Sequence, residues 1–301
     1  MNGAVVTLGT FDGVHRGHQA VFAEVMKRSR ASGLTSVVVT FDPHPLAVVN
    51  PAAAPKLLTL PEEKRALVTA QGIERFVLMR FTPDVAQLDA AAFVHRLRAE
   101  CAMHELVMGY DHGFGRGRAG DVQVVKELGS AEGFGVAVVQ AVRDNGQPIS
   151  STVIRTAVAH GDLDATARWL GRRYSIQGQV ERGAGRGRTI GIPTINLSPP
   201  DPRKLLPPDG VYAVSVIIGR REMGDVRRYG GMMNQGPRPT FAEQGRTLEV
   251  HLFDFDAELY GETVAVEWVR RLRDVQAFSS RDALVAQLER DRQAALATLN
   301  R

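Results

Sequence analysis

Short apolar runs alternate with amphipathic stretches through the first half of the chain. Residues 4–8, 36–41, 75–81, 105–108 and 135–142 are compact apolar runs, which predicts buried strands. Between them the spacing turns helical. Val21, Phe22, Val25 and Met26 share a face, as do Phe93, Val94, Leu97 and Cys101, and Pro61 suits a first helical turn. Five such repeats predict a doubly wound α/β domain, because parallel strands need long helical crossovers. Ligands of such sheets lie beyond the carboxyl ends of the strands, so a site is expected where the first strand ends, near Gly9.

Near Tyr174 the pattern changes to period-two alternation punctuated by Gly and Pro, the signal of an antiparallel sandwich or barrel. The strands expected there are 174–180, 189–197, 210–218, 229–233, 247–255 and 263–269. Ser279 or Ser280 suits the cap of a final helix carrying Leu284, Leu288 and Ala295 on its apolar stripe. The boundary is expected near Gly171, dividing the chain into residues 1–170 and 171–301. No internal repeat is evident, so the two halves should do different jobs.

Composition narrows the class. A chain of 301 residues with 44% hydrophobic and 23% charged residues is a folded globular protein, long enough for two domains. One cysteine, Cys101, forms no internal disulfide. No basic leader and no run of about 18 apolar residues is present, so a cytoplasmic protein with no membrane partner is expected. The net charge is only +4, lysine stands at just 27, 56, 64, 126 and 204, and the other basic residues are arginine. Without a long basic run, and with 6% aromatics, the chain is not expected to bind nucleic acid. Oligomeric state is left open.

Two runs carry chemistry. Gly9-Thr10-Phe11-Asp12-Gly13-Val14-His15-Arg16-Gly17-His18 joins a strand to a helix, where unpaired N–H groups and the positive dipole end suit a phosphate. Gly9, Gly13 and Gly17 let a triphosphate approach the backbone, and His15 and His18 stand three apart across the first turn. Such a pair serves phosphate, a metal or a helix cap. The second run spans residues 183–197, a glycine-rich loop leading to a strand. Alternation there puts Thr194 and Asn196 on one face, where a hydroxyl and an amide oxygen suit hydrated Mg²⁺ and its phosphates; a plain hairpin is the alternative.

At the first run the chain resembles the HxGH nucleotidyltransferase superfamily, and more closely the bacterial riboflavin kinase/FMN adenylyltransferase family. Phe41-Asp42-Pro43-His44-Pro45 is similar to that family's second signature, and Ile149-Ser150-Ser151-Thr152-Val153-Ile154-Arg155 to its hydroxyl-rich helix start. Tyr110-Asp111-His112-Gly113-Phe114-Gly115 departs from the usual Asp-Phe-Arg-Phe-Gly at His112 and Gly113. In the second half, Pro193-Thr194-Ile195-Asn196 resembles the kinase signature Pro-Thr-Ala-Asn. Asn234-Gln235-Gly236-Pro237-Arg238-Pro239-Thr240-Phe241 resembles Asn-Ile-Gly-x-Arg-Pro-Thr-Phe with Gln235 as the departure, and the strand around Glu249 resembles the one bearing the kinase carboxylate.

The resemblance implies a nucleotidyltransferase-like α/β domain followed by an antiparallel riboflavin kinase-like β-barrel with a C-terminal helix. It implies phosphorylation of riboflavin to FMN and adenylylation of FMN to FAD, with ATP as co-substrate and Mg²⁺ as cofactor. Glu249, His15, His18 and Arg155 are then catalytic. The nucleotide falls to Gly9, Phe11, Asp12, Gly13, Gly17, Ser150, Ser151, Thr152, Gly185, Arg188 and Thr189, and the metal to Thr194 and Asn196. Phe41, Pro43 and Asp111 are the flavin-pocket residues.

Overall fold

A computed structural model describes residues 3–182, 192–198, 200–219, 225–237 and 246–300. The chain divides into two compact units, residues 1–154 and 155–301. The boundary expected from sequence lies 16 residues further on, because α7 (Ser151–His160) straddles the division and α8 (Leu163–Leu170) packs with the second unit. No helix among the described residues is long and apolar enough to cross a membrane.

The first unit holds five parallel strands: β1 (Ala4–Leu8), β2 (Thr35–Asp42), β3 (Arg75–Arg80), β4 (Met103–Gly109) and β5 (Gly135–Val139). Their order is β3-β2-β1-β4-β5, with α1 (Arg16–Ser32), α2 (Pro45–Val49), α3 (Pro61–Ala70), α4 (Pro83–Gln87), α5 (Ala90–Cys101) and α6 (Val122–Glu132) between them. Alternation along β1 sends its residues to two cores. Ala4, Val6 and Leu8 pack with Phe93, Val94 and Leu97 of α5, whereas Val5 packs with Val21, Phe22 and Val25 of α1. The strand order reverses between β1 and β4, so the crevice for a ligand opens past their carboxyl ends, at Gly9 and Gly109.

The fifth strand stops at Val139, three residues short of expectation. Beyond it, β6 (Arg143–Asp144) and β7 (Gln147–Pro148) form a small hairpin turning at Asn145 and Gly146, both at positive φ. Asn-Gly is the pair that such a tight turn favours.

The second unit is a closed antiparallel barrel of β8 (Ser175–Glu181), β9 (Ile195–Leu197), β10 (Gly210–Ile218), β11 (Arg227–Pro237), β12 (Arg246–Leu252) and β13 (Thr263–Arg273), in the order β10-β11-β12-β9-β8-β13. Tyr212, Val214, Met233, Leu248, Val250, Val266 and Trp268 fill its interior. Gln235 is fully buried among them. Its Nε2 donates to the Pro207 carbonyl at 2.6 Å and its Oε1 accepts from Trp268 Nε1 at 3.1 Å. Outward-facing Ala213 and Met232 meet Ala295 and Leu288 of α9 (Arg281–Leu299), which Ser280 caps. Asp291 of α9, 3% exposed, takes a two-pronged ion pair from Arg273 of β13 (Nε–Oδ1 2.9 Å, Nη2–Oδ2 2.7 Å), fixing the helix to the barrel.

Candidate active sites

Past β1 the chain makes a tight turn before α1. Phe11, Gly13 and Val14 all have positive φ, at 43°, 83° and 44°, so two of the three residues hold a conformation that side chains resist. Glycines are required where rings come close. A Cβ on Gly9 would lie 3.1 Å from the Phe11 ring, and one on Gly17 3.0 Å from the His15 ring. His15 is the N-cap of α1, and its Nδ1 accepts the His18 N–H at 3.4 Å. In the neutral tautomer an imidazole that accepts through Nδ1 has its proton on Nε2. The two imidazoles stack at 3.5 Å with planes 22° apart, and Phe11 meets His18 edge-on at 5.2 Å. The spacing read from sequence thus yields two juxtaposed rings, of which His15 is buried and His18 half-buried.

Asp12 turns inward. Its carboxylate is 1% exposed and accepts the N–H groups of Leu58 and Thr59 at 3.0 and 2.9 Å and the Thr59 hydroxyl at 3.2 Å. Thr59 Oγ1 in turn accepts from the Gly13 N–H at 3.0 Å. Ser151 Oγ donates to the Asp12 carbonyl at 2.9 Å, and Ser150 Oγ faces the Val153 N–H at 3.4 Å as a helix cap. In this structure Asp12, Ser150 and Ser151 hold the loop and the start of α7. Thr152 is exposed, and Arg155 is half-buried four residues beyond Ser151 on α7.

Lys64 was not anticipated. It is 6% exposed and donates to the Thr10 carbonyl at 2.6 Å and to Thr40 Oγ1 at 3.2 Å. Burial pushes its ammonium below the usual lysine range, opposed by the Asp12 and Asp42 carboxylates. A signal was present in composition: in a chain whose basic residues are otherwise arginine, two of the five lysines, Lys64 and Lys204, are buried.

Of the three flavin-pocket residues, Phe41 lies in the core, against Phe81 at 5.4 Å and Phe93 at 6.2 Å. Pro43 follows a cis peptide bond and leads into α2, which leaves Leu46 and Val49 exposed. Asp111 lies after β4 beside a cavity of about 510 Å³, lined by Tyr110, Asp111, His112, Gly113, Asp121, Val122 and Gln123. The departing residues His112 and Gly113 therefore line a concave surface between the end of β4 and the start of α6.

On the barrel, cross-strand register assembles a second polar row. Glu249 of β12 stands opposite Asn196 of β9 on one side and Asn234 of β11 on the other, and Asn196 also faces Glu181 of β8. Directly paired residues share a face. Buried Leu248 and Val250 point inward, so Glu249 and its partners face outward. Residues 192–194 precede the strand and have no regular structure, so Thr194 is not placed beside Asn196 by strand alternation. It follows Pro193, whose carbonyl lies 2.7 Å from His251 Nδ1, two residues beyond Glu249. Gly185, Arg188 and Thr189 lie outside the described residues. The Thr194 hydroxyl and the Asn196 amide oxygen are hard donors of the kind that suits Mg²⁺, which takes few protein ligands and shares the rest with water and phosphate. Among the described residues no group of three His, Cys, Asp or Glu side chains is arranged to hold a metal alone.

The first unit is thus a doubly wound sheet with a histidine-capped glycine loop at its switch point, and the second a six-stranded barrel with an outward carboxylate. Residues 1–153 match the FAD synthetase family model and residues 170–299 the riboflavin kinase model. The bifunctional riboflavin kinase/FMN adenylyltransferase of Pseudomonas fluorescens is 38% identical over 98% of this chain and 93% of its own length. The protein of the same name from Escherichia coli K12 is 37% identical over 96% and 90%, and that from Bacillus subtilis 35% over 97% and 92%. A crystal structure from Streptococcus pneumoniae, described as a macrolide-efflux protein, superposes with a TM-score of 0.85 at 35% identity, covering 98% of this chain and 94% of that one. The chain belongs to the bifunctional riboflavin kinase/FMN adenylyltransferase family.

Proposed function

We propose that the barrel phosphorylates riboflavin to FMN and that the α/β unit adenylylates FMN to FAD, each step consuming ATP. The observation that carries the reading is one chain holding both parts: a histidine-capped glycine loop at a switch point, and a carboxylate registered against Asn196.

In the kinase step Glu249 takes the proton of the riboflavin 5′-hydroxyl as its oxygen attacks the γ-phosphorus and ADP leaves. Thr194 and Asn196 hold Mg²⁺, which neutralises phosphate charge when bound. Gly185, Arg188 and Thr189, which lie outside the described residues, take the nucleotide by the family resemblance.

In the second step a phosphate oxygen of FMN attacks the α-phosphorus of ATP, and pyrophosphate leaves. The nucleophile is already an anion, so catalysis is a matter of alignment and charge. His15 donates from Nε2, and His18, Arg155 and the first N–H groups of α1 add positive potential. Gly9, Gly13 and Gly17 keep the backbone open to the triphosphate. Pro43 and Asp111 face the flavin, with Phe41 supporting that side from the core. Both reactions belong to the cytoplasm, where ATP is supplied and the lone Cys101 stays a thiol.

Chromatography of flavins formed over time from riboflavin, ATP and Mg²⁺ tests the reading. FMN should rise first and FAD follow. No FMN from riboflavin, or no FAD from added FMN, refutes the corresponding half.

A further inference from the structure

Resting on that reading of the α/β unit, we propose that Lys64 is a positioning residue for adenylyl transfer: by holding the Thr10 carbonyl, it fixes the Phe11 N–H as a donor to nucleotide phosphate. The geometry is specific. The Thr10 carbonyl receives Lys64 Nζ at 2.6 Å and Thr40 Oγ1 at 3.0 Å, and that hydroxyl itself accepts from Lys64 at 3.2 Å. One donor comes from α3 and the other from β2.

A trans peptide is planar, so its C=O and the following N–H point in opposite directions. Anchoring the Thr10 oxygen on the Lys64 side therefore aims the Phe11 N–H to the other side. Among the described residues that N–H meets no acceptor, whereas the Gly9 N–H pairs with Val39 and the Val14 N–H with Phe11. Positive φ at Phe11 makes the peptide's orientation costly to keep, and an unanchored loop would relax. A cation on the carbonyl also polarises the peptide, strengthening its N–H as a donor to an anion.

Packing alone does not account for a lysine here. An ammonium at 6% exposure carries a desolvation cost that an unbranched apolar side chain would avoid, and apolar replacement of buried ions is often neutral or stabilising. A structural role thus predicts that Lys64→Met is tolerated, and a positioning role predicts a selective loss of rate.

The test uses the full chain, reading FMN-to-FAD conversion across ATP concentrations, riboflavin phosphorylation, and thermal unfolding. Lys64→Met should lower the adenylyl-transfer kcat about 10- to 100-fold. The KM for ATP should stay within about threefold, the pattern of a contact made chiefly in the transition state. Kinase turnover should not change. Thr40→Val, which removes one donor and leaves the lysine, should lower the same kcat about three- to tenfold. The proposal fails if Lys64→Met keeps kcat within about threefold, or loses only KM. It fails equally if Lys64→Met unfolds while Thr40→Val turns over at the parent rate. A parent chain that makes no FAD overturns the functional reading along with it; a parent that makes FAD alongside an unimpaired Lys64→Met overturns this inference alone.

Discussion

Glu249 and Asn196 face each other directly across β12 and β9, and Asn234 closes the row from β11. A strand carboxylate on an outward face is ordinarily solvated. Here it is bracketed by two amides whose positions are set by barrel register. Glu249→Gln keeps size and hydrogen bonding but removes the base, so riboflavin phosphorylation should fall about 100-fold or more. Conversion of supplied FMN to FAD by the same preparation should stay at the parent rate, which also controls for folding.

Gly17→Ala sets two effects against each other. The added methyl favours the helix by up to about 1 kcal/mol, less so in the first turn. Its Cβ would also lie 3.0 Å from the His15 ring, which must give by a few tenths of an ångström and so disturbs its stack on His18. Stability should therefore change little while adenylyl transfer drops about tenfold or more, read as kcat with added FMN.

Asp12→Ala would leave the Leu58 and Thr59 N–H groups and the Thr59 hydroxyl without their acceptor inside the first unit. Stranded buried donors beside a lysine left with Asp42 as its remaining carboxylate should cost about 3 kcal/mol. Urea unfolding followed on the first unit measures the loss. A change below about 1 kcal/mol would mean that the loop repacks.

Asp291 and Arg273 tie α9 to β13. Arg273→Ala should destabilise the barrel by about 3 kcal/mol, since it leaves the buried Asp291 carboxylate with only the Gln287 amide, and Asp291→Ala should cost less, because Arg273 is partly exposed and keeps the Asp274 carbonyl. The double substitution should cost clearly less than the sum of the two, as a double-mutant cycle would show.

Lys64 gives the pH prediction. Burial lowers its folded pKa below the unfolded value, with Asp12 from the loop and Asp42 from β2 pulling the other way. Between the two values the unfolded chain keeps a proton that the folded chain has released, so stability from this site rises with pH across that window. The difference in unfolding free energy between the parent and Lys64→Met should therefore move in the parent's favour as pH climbs toward the ordinary lysine range. Parent adenylyl transfer should fall over the same range as the anchoring charge disappears.

Much of the fold was legible because each unit obeys one periodicity. The five apolar runs became the five parallel strands, and of the two serines offered as the cap of the last helix, Ser279 and Ser280, it is Ser280 that caps α9. Ends were harder to read. Ala141 and Val142 extend the apolar run past Gln140, yet β5 stops at Val139 and the hairpin turning at Asn145 and Gly146 takes over. Among site residues, the histidine pair was readable because three-residue spacing on a helix fixes a shared face. The inward turn of Asp12 was not, because its partners Leu58 and Thr59 stand more than 45 residues away. Lys64 was hidden for the same reason.

Gln235 stands where the family pattern has isoleucine, buried in the barrel with both ends of its amide engaged. A closed barrel has no free edge at which a pairing error could be tolerated. Slipping β11 by one residue would pull this amide from Trp268 and Pro207 and turn it to the opposite face. An apolar side chain at that position would accept several near-equivalent alignments. The amide accepts one, so it works as a key that reports whether the cylinder has closed in step, and thereby whether Asn234, the residue before it, arrives beside Glu249.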